Sequence, residues 1–177
     1  MHNTFFKLIY LKGPLEKTKG LFVLHRFETI FVVMERALQF KILTKSLEMM
    51  DCYELIKQLN PKLSRLEYAN LISEMIPNNY KQLIAIQNEM LVGVCGYWIN
   101  TKIYSGKYIE LDNVVVGDSF RNQNIGERMC LELMEIAKKE KCKVAMLDAY
   151  IENEAAHRFY ERLGYKKKGY HFVKKLN

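Results

Sequence analysis

The segment between residues 108 and 150 constrains the fold of this chain more than any other part of it. Residues 108–116 form an apolar, β-branched run that predicts a buried strand. A polar loop follows, and residues 125–139 then repeat apolar side chains at helical spacing. Residues 144–150 again favour a strand. A strand, a helix and a strand in this order predict two parallel strands joined by a right-handed crossover.

The rest of the chain from residue 38 onward alternates between strand and helix patterns. Before the crossover we predict a strand at 38–44, helices that begin at Ser46 and Ser64, and a hairpin at 83–100 with its turn at Asn88-Glu89. After the crossover we predict a helix at 154–163 and a last strand or hairpin arm at 165–175. The resulting order, β-α-α-β-β-β-α-β-α-β, predicts an α/β protein with a mixed sheet.

Residues 1–37 differ in composition from the rest of the chain. Five of the nine Phe lie within the first 31 residues, and none occurs between Phe40 and Phe120. The segment has no clear period, although residues 29–38 are compatible with a helix. We therefore predict an N-terminal extension of unknown role over 1–37 and a domain over 38–177. Whether the extension packs on the domain or forms a homodimer contact stays open.

The net charge of +7 is concentrated at the two ends of the chain. Residues 1–36 hold six Lys or Arg against three Glu, and residues 166–177 hold five Lys without an acid, so the body between them carries −1. Nucleic-acid binders usually spread their basic residues along a groove or a reading element. We therefore expect solvated ends and no nucleic-acid partner.

The cysteines and the apolar runs exclude two further classes of protein. Four cysteines lie far apart, without a Cys-x-x-Cys pair or a His at zinc-ligand spacing, so we expect reduced thiols near the core and no metal site. The apolar stretch at 21–34 is interrupted by His25, Arg26 and Glu28, and the first residues offer no small-residue cleavage site, so we expect no secretory signal. We expect a cytoplasmic protein that does not enter a membrane.

The junction between the buried strand and the long helix is the first candidate site. Free amides at a helix start bind phosphate groups, and Arg121 adds a cation. Gly126 lets a ligand approach the backbone, while Asn124 tolerates a positive φ. The glycine-rich phosphate loops of nucleotide-binding proteins are absent from the sequence. By itself, this junction is equally compatible with an ordinary strand-to-helix turn.

A second polar motif begins after the last strand of the crossover. Asn153 is placed to cap the helix that comes after it, and Tyr160 lies seven residues further on. Residues seven apart share one helical face, about 10 Å apart along the axis. An amide and a phenol should therefore point the same way beside that strand.

Together these two motifs resemble the GCN5-related N-acetyltransferase (GNAT) family. The family loop Arg/Gln-x-x-Gly-x-Gly/Ala stands here as residues 121–126, with Asn124 in place of the usual first Gly. The pattern Asn-x-x-Ala-x-x-Phe-Tyr-x-x-x-Gly-Phe stands as residues 153–165. The resemblance covers about 38–177. It implies the acyl-CoA N-acyltransferase fold, a mostly antiparallel mixed sheet with a parallel β-α-β core and helices on both faces.

The resemblance also implies acetyl-CoA as co-substrate and assigns roles to particular residues. Strand 108–116 should be bulged and splayed from strand 144–150, with the pantetheine arm between them and the pyrophosphate on the amides of 121–127. The residues expected to bind the coenzyme are Val114, Val115, Val116, Arg121, Asn122, Gln123, Asn124, Ile125, Gly126, Glu127 and Asn153. Tyr160 matches the position of the general acid, and Glu110 that of the base. Asp112 shares a strand face with Glu110, and carboxylates this close raise one pKa.

The acceptor is the part of the reaction that these motifs leave open. We expect an acetyl group to pass to a primary amine of a small molecule, by direct attack in a ternary complex. Two alternatives remain: a protein acetyltransferase acting on lysines or N-termini, and a non-catalytic module that binds coenzyme A or another protein.

Overall fold

The computed structural model describes residues 21–26, 29–34 and 38–176, the first two ranges by their backbone only. The chain divides into two compact units, Met1–Arg36 and Ala37–Asn177. The role of residues 1–37 as an extension stays a prediction.

The described part of the first unit is a β-hairpin. Strand β1 (Leu21–Arg26) pairs antiparallel with β2 (Thr29–Met34), from Arg26 opposite Thr29 to Leu21 opposite Met34. The predicted helix over 29–38 is therefore wrong across 29–34, and residues 35–37 lie outside the described ranges. The Thr-Ile-Phe-Val-Val run explains the difference, because β-branched and aromatic side chains favour strands.

The second unit contains a five-stranded sheet in the order β3-β4-β5-β6-β7. Its strands are β3 (Gln39–Leu43), β4 (Lys81–Gln87), β5 (Met90–Lys102), β6 (Gly106–Val116) and β7 (Val144–Leu147). The first four strands pair antiparallel, and β6 pairs parallel with β7. This mixed sheet confirms the predicted fold class.

Helices cover both faces of this sheet. On one face lie α1 (Ser46–Met49), α2 (Tyr53–Ile56) and α3 (Arg65–Met75), which bury Met49 and Ile72 against it. On the other lie α4 (Ile125–Lys139) and α5 (Glu154–Arg162), with Met129 and Leu133 fully buried under α4. The two faces are called the α1–α3 face and the α4 face below.

The cysteines lie where the sequence predicted. Cys52, Cys95 and Cys130 are buried, Cys142 is half-buried, and all four are free thiols. Among the described residues, no helix is both long enough and apolar enough to cross a membrane.

The end of the chain differs from its prediction. Strand β7 stops at Leu147, three residues earlier than predicted, and residues 165–175 join no sheet. Tyr170 and Phe172 are 82% and 91% exposed. The short β7 offers an edge of only four residues to a further strand, and three consecutive lysines, Lys166, Lys167 and Lys168, open the segment that would have to pair with it.

Candidate active site

Strand β6 carries a bulge close to its C-terminal end. Asp112 pairs with Gly96 and Val115 pairs with Val94, so two residues of β6 stand opposite Cys95. One of the two, Asn113, has a φ of 52°, in the left-handed region. An extra residue in one strand bends that strand and interrupts the ladder. The bulge that the resemblance implied is therefore present.

The pairing of β6 with β7 ends at the same level. It runs in parallel from Tyr108 opposite Val144 to Leu111 opposite Leu147, where β7 itself ends, whereas β6 continues to Val116. The splay of the two strands therefore stays a prediction. Beyond Leu111 the edge of β6 on the side of β7 is unpaired in the described part of the chain. This unpaired edge, residues 112–116, is called the groove below.

The three valines predicted to meet the coenzyme line the end of β6. Val114 and Val116 are half-buried and pack with the cluster of the α4 face. Val115 is buried in the cluster of the α1–α3 face. Their backbone groups therefore lie along the groove, while only Val114 and Val116 turn their side chains toward α4.

The start of α4 lies beyond the end of β6. Asn124 occupies the N-cap position with a φ of 58°, and its side chain makes no capping hydrogen bond. Asn124 thus adopts the positive φ that asparagine tolerates. The Arg128 amide donates to the Asn124 carbonyl at 3.0 Å, and the three amides before it receive no side-chain cap. Such amides, together with the helix dipole, favour an anion.

Gly126 lies in the first turn of α4, close to the end of β6 and to α5. A Cβ at this position would lie 3.6 Å from Val116 Cγ2 and 3.6 Å from Phe159 Cζ. A larger side chain here would therefore have to fit between β6 and α5.

The loop between β6 and α4 is held by its own polar groups. Arg121 Nη2 lies 2.6 Å from Asp118 Oδ1, and Arg121 Nε donates to the Val116 carbonyl at 3.4 Å. Gln123 Nε2 donates to the Ser119 carbonyl at 3.4 Å. Asn122 joins Asn124 in the left-handed region with a φ of 62°. The conformation of the loop is therefore stabilised by contacts within the loop and with the end of β6.

Helix α5 brings the second motif beside the groove. Asn153 Oδ1 accepts a hydrogen bond from the Ala156 amide at 3.0 Å, which confirms the predicted cap. Burial raises the pKa of Tyr160, and the thiols of Cys130 and Cys95 raise it further, so the phenol stays protonated at neutral pH.

Aromatic contacts hold the Tyr160 ring in place. It packs edge-on against Phe159 and Tyr165, at centroid distances of 5.0 Å and 5.8 Å. The Tyr165 hydroxyl is directed at Met134 Sδ, 3.8 Å away. The two neighbouring phenols thus have different surroundings.

The carboxylates Glu110 and Asp112 lie on the α1–α3 face of β6. Glu110 stands opposite Trp98, and Asp112 stands opposite Gly96, next to the bulge. Burial raises the pKa of Asp112, and the charge of Glu110 raises it further. Asn113 Nδ2 donates to Asp112 Oδ2 at 2.7 Å. The raised pKa that the sequence predicted for one member of this pair thus falls on Asp112.

The sequence analysis missed a polar group on the same face. Gln82 is fully buried, and the ring of Tyr80 lies 4.9 Å from that of Trp98. The signal that could have revealed this group is Gly96, because a glycine inside a strand often marks a close approach by another group.

A cavity of about 210 Å³ lies at the opposite end of the sheet, between Lys107 and Glu140. It contains none of the predicted site residues.

The comparison with known sequences identifies the family. The profile of the acetyltransferase (GNAT) family matches residues 47–165. The chain is 31% identical over 109 residues to the aminoalkylphosphonate N-acetyltransferase of Salmonella typhimurium, a match that spans 61% of this chain and 68% of that protein. The chain therefore belongs to the GNAT acetyltransferase family, and it is an N-acetyltransferase.

More distant relatives agree with this assignment. The chain is 24% identical over 92 residues to the putative [ribosomal protein bS18]-alanine N-acetyltransferase of Bacillus subtilis, covering 51% of this chain and 58% of that protein. Among solved structures, an acetyltransferase of Trypanosoma brucei has a TM-score of 0.65 at 24% identity, covering 79% of this chain and 100% of that one. The aminoglycoside N-acetyltransferase AAC(6')-Iy, in complex with CoA, has a TM-score of 0.69 at 16% identity, covering 80% and 96%. At these identities the two structures support the fold alone.

Proposed function

We propose that this protein transfers the acetyl group of acetyl-CoA to a primary amine of a small molecule, by direct attack in a ternary complex. The observation that carries this proposal is the groove. It begins where the pairing of β6 with β7 ends, at Leu111 and Leu147, passes the bulge at Asn113, and leads to the start of α4, which the Asn124 side chain does not cap. A long, thin ligand with phosphates at one end fits such a groove.

The residues proposed to hold acetyl-CoA follow the groove from end to end. Backbone groups of Val114, Val115 and Val116 would form hydrogen bonds to the pantetheine arm, in the way that an unpaired strand edge bonds to a neighbouring strand. The pyrophosphate would lie on the amides of residues 121–127, with Arg121 as the nearby cation. Asn153 would meet the arm from the start of α5. When bound, acetyl-CoA supplies the thioester carbonyl that the amine attacks.

The transfer step needs one proton acceptor and one proton donor. The amine nitrogen forms a bond to the thioester carbonyl carbon, and the bond from that carbon to sulfur breaks. We propose that a carboxylate of the Glu110–Asp112 pair takes the nitrogen proton. The raised pKa and the position beside the bulge favour Asp112 as the immediate base, with Glu110 acting on its charge.

Tyr160 is the proposed donor to the departing sulfur. Its raised pKa keeps the phenol protonated, so a hydrogen bond to sulfur is always available. A free thiol has a pKa of about 8.5 and a free phenol about 10, so complete transfer of the proton is uphill. The phenol therefore acts chiefly as a hydrogen-bond donor that stabilises the charge developing on sulfur, and if it gives up its proton to the departing thiolate, the phenolate regains one from water.

Two observations bear on the acceptor. The 31% identical relative acts, by its name, on an aminoalkylphosphonate, which supports a small amine. The second candidate is the N-terminal amine of a protein, because the 24% identical relative is named for an alanine of ribosomal protein bS18. Both acceptors present a primary amine, so the groove by itself does not distinguish between them.

A panel of amines tests the proposal. The protein is incubated with acetyl-CoA and, separately, an aminoalkylphosphonate, a polyamine, an aminoglycoside and a peptide that begins with alanine. Free thiol is followed with time, and the acetylated product is identified by mass. We expect amine-dependent thiol release with at least one small molecule, above the rate without amine. Thiol release with the alanine peptide but with none of the small molecules would favour the protein acetyltransferase. If none of the amines raises thiol release above the rate without amine, the proposal is contradicted.

A further inference from the structure

Another residue occupies the space beside Gly96, where a side chain would otherwise lie. In β5 it pairs with Gln82 of β4 on one side and with Asp112 of β6 on the other. A Cβ on Gly96 would lie only 2.1 Å from Tyr80 Oη. The Tyr80 phenol therefore lies across the glycine, on the α1–α3 face, between the side chains of Gln82 and Asp112.

The directions of the hydrogen bonds around Gln82 follow from one backbone carbonyl. Tyr68 Oη lies 3.0 Å from the Met49 carbonyl oxygen, which can only accept, so the Tyr68 hydroxyl donates to it. Tyr68 Oη must then accept from Gln82 Nε2, 3.0 Å away. With the amide turned over, two oxygens would face each other with no proton between them. This carbonyl thus determines which way the amide points.

The same amide nitrogen lies 3.4 Å from Tyr80 Oη. Tyr80 therefore accepts a hydrogen bond from Gln82, and its own proton is free to be donated elsewhere. Burial raises the pKa of Tyr80, and the charge of Asp112 raises it further, so the phenol keeps that proton.

Asp112 lies within reach on the far side of the glycine. Side chains at directly opposed positions on one face of neighbouring strands have Cβ atoms about 4.5–5.5 Å apart. Gly96 and Asp112 stand directly opposite each other, so Tyr80 Oη beside the glycine and the Asp112 side chain occupy neighbouring positions on one face. The two groups make no direct hydrogen bond in the structure, where Tyr80 Oη bonds to Gln82 and the carboxylate to Asn113. The phenol can therefore reach the carboxylate through one water.

We propose that Tyr80 is a positioning residue for acetyl transfer: its hydroxyl, oriented by Gln82 and Tyr68, donates through one water to the Asp112 carboxylate across Gly96. The inference rests on the proposed function, in which Asp112 takes the proton of the acceptor amine. A donor to a carboxylate stabilises its charged form. The contact with Tyr80 would keep this half-buried base ionised at neutral pH and hold it beside the bulge.

Other titratable groups also face Asp112, and the test must separate them from Tyr80. They are Glu110 on β6, Cys95 on β5 and Asp148 after β7, whose Oδ2 lies 2.8 Å from His171 Nδ1. A change at Tyr80 leaves all of them in place. A difference between the wild type and a Tyr80 variant therefore reports on Tyr80.

The experiment compares the pH dependence of kcat/KM for Tyr80→Phe with that of the wild type, with the best amine from the panel. Loss of a donor should raise the pKa of Asp112, so the acid limb should move to higher pH by about one unit. Acetyl-CoA affinity should stay unchanged. Tyr97→Phe is the matched control, because Tyr97 is equally buried on β5 but belongs to the α4 face. Its acid limb should stay in place.

Two further outcomes separate the two proposals. Tyr80→Phe with an unmoved acid limb, in a protein that still melts cooperatively and binds acetyl-CoA, would overturn the role of Tyr80 alone. Asp112→Asn should remove the limb that belongs to the carboxyl and leave only the rise with pH that reflects deprotonation of the amine, and Tyr80→Phe should then have no further effect on the pH profile. An acid limb that stays at the wild-type pH in Asp112→Asn would overturn Asp112 as the base and, with it, this inference.

Discussion

Arg121 is bound to Asp118 within the loop that precedes α4, with Nη2 and Oδ1 2.6 Å apart. The cation proposed to meet the coenzyme phosphates is thus already partnered by a carboxylate. Both side chains are more than half exposed. Because an exposed ion pair contributes about 0–1 kcal/mol, a phosphate group can displace Asp118 at little cost.

We expect Asp118→Asn to bind acetyl-CoA more tightly than the wild type. Removal of the competing carboxylate frees Arg121, and about 1 kcal/mol corresponds to roughly a fivefold lower Kd. The gain should shrink as salt is added. Calorimetric titration measures it, and Glu135→Gln is the control, since it removes an equally short pair with Lys138 elsewhere on α4. Equal or weaker binding by Asp118→Asn would show that Asp118 does not compete with the phosphates.

Gly126→Val should abolish the rise in melting temperature that acetyl-CoA produces. At about 100 times its Kd the ligand should add roughly 2.7 kcal/mol to the stability of the wild type. The new side chain would extend between Val116 and Phe159, where even a Cβ makes ordinary contacts at 3.6 Å. Gly169→Val, whose Cβ would meet nothing within 4 Å, should keep the full shift. A normal shift in Gly126→Val would place the coenzyme elsewhere.

Tyr160→Phe should lower kcat by about 10²-fold while leaving acetyl-CoA affinity nearly unchanged. The ring keeps its contacts with Phe159 and Tyr165, and only the donor to sulfur is lost. Tyr165→Phe is the matched control, because its hydroxyl is directed at Met134 Sδ. Single-turnover thiol release measures both variants. If Tyr160→Phe turns over at the wild-type rate, water supplies the proton and Tyr160 only packs.

Asp112→Asn should stabilise the protein while it inactivates it. Folding raises the pKa of the Asp112 carboxyl, so its charged form destabilises the folded state at any pH above that raised pKa. This destabilisation disappears as the pH falls toward 3.8, the ordinary pKa of the group. The melting temperature of Asp112→Asn should therefore exceed that of the wild type at neutral pH and approach it in acid. Scanning calorimetry at several pH values tests this. A variant less stable than the wild type at neutral pH would contradict it.

A chain that lacks residues 1–36 should fold and bind acetyl-CoA. Among the side chains that the structure describes, the sheet β3–β7 and both clusters that cover it are built from residues 38–176, and the family profile begins at residue 47. Circular dichroism and the melting shift with acetyl-CoA measure the outcome. Aggregation of the shortened chain would show that the first residues belong to the core or to an obligate interface.

Much of the fold and of the site follows from local patterns in the sequence. Helix α4 has the predicted bounds, Ile125–Lys139, because fifteen residues with one apolar face are compatible with little else. Asn153 caps α5, and Asn124 takes a positive φ, because each needs only its own side chain and its neighbours along the chain. The motif residues on either side of the groove could therefore be named before the structure was known.

The wrong predictions concern short segments whose structure depends on a pairing partner. The sequences of residues 29–34 and 165–175 are each compatible with more than one structure, and strand pairing decides which one forms. The first found an antiparallel partner in β1, whereas the second joined no sheet beside the four residues of β7. A strand has no internal hydrogen bonds, so its existence depends on an edge that lies elsewhere in the chain.

The sequence by itself determined the family, the crossover and the residues of the two motifs, because these depend on order and spacing along the chain. Only the tertiary structure decided that the Tyr80 phenol lies over Gly96 and that the raised pKa falls on Asp112. Tyr80, Gly96 and Asp112 come from three separate segments, and the register between β5 and β6 brings the last two together. Such a register is a property of paired strands, since a shift by one residue would turn every side chain to the other face.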